Sequence, residues 1–229
     1  MNFLAAWFPA PLMTAAHFTL ALLLAVSART AWQSVGRHPQ AAGILLCLFA
    51  VLWHLRAVLD QGQLTGIAYH LLGISLGALM LGPAAVLWLA AAFMLPYFLL
   101  ANGSDNLPAY SLNTLFAVVP ALAVNLAVRT IVRRLPKNLF IYIFLNGFFA
   151  AALGMTATGA AITALLSGSP IFEDTPLWGS VFPVFFLLAW AEAFLSGLFT
   201  AVFVALKPQL LATFDDAVYL KRQNTIWSE

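Results

Sequence analysis

Seven apolar runs leave this chain few ways to fold. They lie at about 11–28, 41–58, 67–81, 84–101, 111–128, 139–166 and 180–206, separated by charge, Pro and Gly. A helix needs ~20 apolar residues to cross a bilayer, where unpaired backbone groups find no water to bond. Of 229 residues 63% are hydrophobic and only 8% charged, whereas soluble domains carry roughly 25% charge. About seven crossings use nearly all of that apolar chain. The runs are continuous rather than alternating, which predicts helices and argues against strands or a barrel. The third and fourth runs are short and parted only by Gly82-Pro83, so six or eight spans stay open. The expected fold is an all-α polytopic membrane bundle over residues 1–206, with a short tail over 207–229. Soluble enzymes, nucleic-acid-binding modules and disordered tails are excluded. Cys47 is the single cysteine, so no intramolecular disulfide or CxxC site can form.

Charge placement sets the expected orientation. Arg29, Arg37, Arg129, Arg133, Arg134, Lys137, Lys207, Lys221 and Arg222 fall on one set of loops and the tail, nine of the ten Lys and Arg residues. The opposite loops hold Asp60, Asp105, Glu173 and Asp174, with Arg56 the only base near them. By the positive-inside rule the basic set is cytoplasmic, which puts the N-terminus outside and the C-terminus inside. Met1 to Ala28 carries no Lys or Arg. A cleaved signal peptide needs positive charge before its apolar core, so the N-terminal segment is expected in the mature protein. No GxxxxGK[ST] phosphate loop occurs, so nucleotide hydrolysis would fall to another chain.

Polar groups inside apolar runs need a reason, since an ionisable side chain costs ~2.5–3.5 kcal/mol at a helix centre. His17, His54 and His70 fall at similar depth under the outer face. Neutral imidazole is a common metal ligand, but outer-leaflet histidines also bond headgroups, water or neighbouring helices. His70, among small residues, is the strongest of the three. Glu192 falls near the middle of the last run. It is either a packing carboxyl or a proton relay, counter-ion or polar wall of a substrate path. Asn113, Asn125 and Asn146 are expected as interhelical glue, with Asn113, at the depth of His70, also a weaker candidate metal ligand beside His17 and His54. The spacing Gly73-xxx-Gly77 predicts close helix packing.

The stretch Gly66-Ile67-Ala68-Tyr69-His70-Leu71-Leu72-Gly73, then Gly77-Ala78-Leu79-Met80-Leu81-Gly82-Pro83, resembles the cobalt/nickel substrate-capture subunits of energy-coupling-factor ABC transporters. Those carry a His-Leu-Leu-Gly-Gly stretch and a Leu-Gly-Pro turn. Ser111-Leu112-Asn113-Thr114-Leu115 is similar to their small-Ala-Asn segment. Arg134-Leu135-Pro136-Lys137, Tyr142-Ile143-Phe144, Glu192-Ala193-Phe194-Leu195-Ser196-Gly197 and Thr213-Phe214-Asp215-Asp216 resemble an uncharacterised branch of the same family. The resemblance implies that the mature N-terminus folds back into the bundle around one divalent ion. Met1 would supply its amine, Asn2 its backbone amide and His70 an imidazole. The family's usual residue at position 2 is His, so Asn2 lacks one imidazole. His17 or His54 would replace it, or the site takes a different cargo.

The resemblance implies a substrate-capture subunit in the plasma (inner) membrane, working with a transmembrane scaffold subunit and ABC ATPase subunits. Its cargo would be Ni²⁺ or Co²⁺, with no permanently bound cofactor and no nucleic-acid partner. Two other readings stand beside it: an intramembrane enzyme using Glu192 and histidines, and a membrane scaffold or assembly subunit. Against the enzyme stand the different depths of Glu192 and the histidines, and the lack of HExxH and GxSxG motifs.

Overall fold

The computed structural model describes residues 3–58, 64 and 66–219. Met1, Asn2, Asp60, Lys221 and Arg222, named above, lie outside the described residues. The helices α1 (Ala10–Arg37), α2 (Pro39–His54), α3 (Ile74–Leu81), α4 (Pro83–Asn102), α5 (Tyr110–Val132), α6 (Leu139–Ser167) and α7 (Asp174–Leu206) follow the apolar runs in order. Five of them, α1 and α4 to α7, are long and apolar enough to cross a membrane. Proline in the first turn starts α1, α2 and α4, where its missing N–H leaves no bond unmade.

The third run departs from the expectation of a helix over 67–81. Only Ile74–Leu81 is helical. Before it, β2 (Ala68–Tyr69) pairs antiparallel with β1 (Ala57–Val58), Ala57 opposite Tyr69 and Val58 opposite Ala68. This corrects both the helix and the absence of strands. Gly66 and Gly73 explain the change, with φ of 91° and 69°. Side chains other than glycine's resist such angles, so these two positions bracket an extended segment and start the helix late. An eight-residue helix rises about 12 Å, less than half of a hydrocarbon core ~30 Å thick. The rest of the run is not helical, a conformation tolerated at membrane depth only where protein buries it.

Protein does bury it. Every residue of α3 is buried, and the helix packs against α2, α4, α5, α6 and α7. At Gly77 a Cβ would stand 2.9 Å from the Leu45 methyls, so the expected close approach is found there. Gly73 instead lies just before the helix. In contrast, α1 turns Phe18, Leu22, Val26 and Trp32 outward, an apolar face suited to lipid.

Contacts sort the connecting segments to two ends of the bundle. At one end Trp7 meets Gly66, Ser169 and Phe172, and Phe3 meets Asn113. At the other, Ser34 bonds Leu81, Ala212 bonds Met80, and Tyr142 bonds Thr213. The described part of the tail packs on this second end, with Leu210 and Leu211 buried.

Candidate functional site

The segment His70-Leu71-Leu72-Gly73 lies between β2 and α3, and its backbone groups need partners away from water. Glu192 on α7 supplies two. The Leu72 N–H donates to Glu192 Oε2 at 2.8 Å, and the Gly73 N–H donates to Oε1 at 2.7 Å. Both oxygens accept, and Glu192 is 2% exposed. A carboxylate placed just before a helix also meets the positive end of the helix dipole. Of the roles open to Glu192, the geometry supports an anchor that ties the His70 segment to α7. Trp53, fully buried and stacked on Phe49, donates from Nε1 to the Leu72 carbonyl at 3.0 Å.

His70 is itself 2% exposed. Its Nδ1 lies 2.8 Å from the Leu71 carbonyl. A carbonyl only accepts, so Nδ1 carries a proton, and in a neutral ring of that tautomer the lone pair is on Nε2. A backbone bond of this kind fixes the tautomer and orientation of a metal-binding histidine. The ring packs against both the Trp53 and Tyr97 rings, at centroid distances of 5.8 and 6.1 Å, and those two rings lie 5.8 Å from each other.

The N-terminal segment folds into the same end. Phe3, Trp7 and Phe8 are buried, and Phe3 and Trp7 line a void of about 10 Å³ with Ile67 and Ala68, two residues before His70. Asn113 on α5 holds Phe3 from both sides of its backbone: Oδ1 accepts the Phe3 N–H at 2.6 Å, and Nδ2 donates to the Phe3 carbonyl at 3.1 Å. Nδ2 also donates to the Ala109 carbonyl at 2.9 Å. The Ala5 N–H donates to Asn106 Oδ1 at 3.0 Å, and Ser169 Oγ donates to the Trp7 carbonyl at 2.8 Å. Asn113 thus acts through its hold on Phe3, with its carboxamide engaged there.

The three histidines do not gather. His17 and His54 are exposed, and each bonds through Nδ1 to the carbonyl four residues earlier in its own helix, at 2.6 and 2.7 Å. The His54 ring packs 5.4 Å from Tyr97. Among the described residues no three His, Cys, Asp or Glu side chains come together as a metal site. Side chains alone therefore do not complete a coordination sphere around His70 there, and further donors would have to be backbone groups or residues such as Met1 and Asn2.

Sequence reasoning missed Trp53, Asn106 and Ser169. Each bonds a backbone group far away in the chain, and no local spacing reports such a bond. The Gly66 and Gly73 pair was the one legible signal that the segment between them leaves the helix.

The described helices thus form a multi-pass membrane bundle that folds its own N-terminal segment into one end, beside the buried His70. Residues 2–210 match the family described as cobalt uptake substrate-specific transmembrane region (CbiM), and the chain belongs to that family. It is accordingly a multi-pass component of cobalt uptake, a transport protein rather than an enzyme, and such components work with other transporter subunits. No curated protein matches the chain.

Proposed function

We propose that this protein is the substrate-capture subunit of an energy-coupling-factor type importer and takes up a divalent transition metal, Co²⁺ or Ni²⁺. The observation that carries the reading is the Asn113 clamp on Phe3. It holds residue 3 of the chain at the end of the bundle where His70 has its lone pair on Nε2. The cargo's donors are the Met1 amine, the Asn2 backbone amide and His70. Nitrogen donors of this kind suit Ni²⁺ and Co²⁺, although Asn2 supplies no imidazole of its own. The His70 end faces outward and the arginine-rich end faces the cytoplasm of the plasma (inner) membrane, as the charge bias supports. A scaffold subunit and two ATPases drive release inward, and this chain's chemistry is binding and release alone.

The test is metal content and thermal unfolding of the purified protein with Co²⁺, Ni²⁺, Mn²⁺ and Zn²⁺. Co²⁺ or Ni²⁺ at about 100 times its dissociation constant adds ~2.7 kcal/mol, and His70→Ala removes that gain while the protein still reaches the membrane. Equal stabilisation of wild type and His70→Ala overturns the site. No bound metal and no shift with any of the four ions overturns the metal cargo.

A further inference from the structure

At the end of the bundle away from His70, a small pocket of about 50 Å³ opens among α5, α6 and the tail. Arg129 lines it from the last turn of α5 and Arg133 from just beyond that helix, Tyr142 and Asn146 from α6, and Thr213 and Tyr219 from the tail. Arg129 is half-buried. Among the described residues no carboxylate forms an ion pair with either arginine, and Asp215 turns its Oδ1 back to the Ala217 N–H at 2.9 Å. Half-buried guanidinium charge at the edge of hydrocarbon is costly without a counter-anion.

The remaining groups are oriented by the tail. Thr213 Oγ donates to the Leu79 carbonyl at 3.0 Å, so the Tyr142 hydroxyl donates to Thr213 Oγ at 2.8 Å. The Tyr142, Phe214 and Tyr219 rings cluster at 5.0–5.2 Å, with Phe214 stacked on Tyr219, and Tyr142 and Tyr219 wall the pocket. Asn146 is 3% exposed, and its Oδ1 has no hydrogen-bond partner. One water-sized centre takes about 10–15 Å³, so the pocket has room for a few small polar groups.

A topology anchor needs only charge near the surface. It does not need two arginines four residues apart to share a pocket walled by an aromatic cluster from two other elements. We infer that this pocket binds a phosphate group, with Arg129 and Arg133 as its cationic donors. The phosphate is that of an anionic phospholipid headgroup or a free phosphate. Forked guanidinium donors match phosphate oxygens two at a time, and basic pockets between membrane helices take lipid headgroups by this chemistry.

The experiment measures thermal unfolding of the full-length protein in detergent with added phosphatidylglycerol, phosphatidylcholine or inorganic phosphate. Variants are Arg129→Gln, Arg133→Gln and, as a control with the same charge change, Arg134→Gln, which lies outside the pocket. Phosphatidylglycerol raises the midpoint and phosphatidylcholine does not, and each pocket variant weakens the apparent affinity about fivefold while Arg134→Gln retains it. A shift from inorganic phosphate alone with the same variant pattern assigns the site to a soluble phosphate. Arg133 is exposed, so its variant tests the site even if Arg129→Gln folds poorly. Equal losses in all three variants, or no shift from either phosphate source, overturn the inference.

Discussion

The two ends of α3 face opposite electrical problems and are closed with different chemistry. Just before its first turn, the N–H groups of Leu72 and Gly73 converge on one carboxylate, that of Glu192. At its last turn three carbonyls are met separately. Leu79 accepts from the Thr213 N–H and hydroxyl, Met80 from the Ala212 N–H, and Leu81 from the Ser34 hydroxyl. A surface helix leaves such terminal groups to water. A short helix buried on all sides cannot, so distant parts of the chain come to it. Negative charge is favourable at the first end and would be repelled at the second, where neutral donors do the work. The first end concentrates its partners in one side chain, while the second spreads them over three residues.

That difference ranks the expected losses. Glu192→Leu leaves two buried N–H groups unpaired and should cost about 2–5 kcal/mol, a fall in the thermal midpoint larger than any change at the other end produces. Glu192→Gln keeps one good acceptor and falls between. A loss for Glu192→Leu no greater than that for Thr213→Val would break the comparison. Asn113→Ala removes the clamp on Phe3 and should cost about 1–3 kcal/mol. Hydrogen exchange would show faster exchange at Phe3 and Ala5 than in wild type, with α3 still protected. Unchanged exchange there would mean that Trp7 and Phe8 hold the segment without Asn113. Thr213→Val keeps the backbone bond to Leu79 but loses the hydroxyl's two, and should cost about 1 kcal/mol. Thermal unfolding again measures it, and a loss matching that of Glu192→Leu would show the tail to be the stronger clasp.

Much of the fold was legible in the residues. Continuous apolar runs, and Pro at the starts of α1, α2 and α4, placed six helices near their observed bounds, because in a membrane each crossing must satisfy its own backbone. Asn113 was legible as a polar residue near a helix end, since helical rise translates sequence position into depth, whereas His70, outside any helix, was legible only as a polar residue within an apolar run. Neither the extended strand before His70 nor the purpose of Glu192 could be read that way. Hydropathy is blind to a segment whose backbone is satisfied by partners elsewhere, and Trp53 and Glu192 lie 19 and 120 residues from Leu72, which both of them bond. The three histidines looked equivalent by depth, but His17 and His54 stand on exposed helix faces while His70 is buried in the segment before α3.

By itself, then, the sequence determined a membrane bundle, the loops that gather at each end and the residues whose burial needs a reason. Those follow from local rules of length, charge and propensity. Which backbone group Glu192 and Asn113 would hold, which histidine is enclosed, and where two arginines share a pocket were decided only by tertiary structure. Each of these depends on segments far apart in the chain meeting within hydrogen-bond distance, and a bond formed at ~3 Å leaves no trace in local sequence.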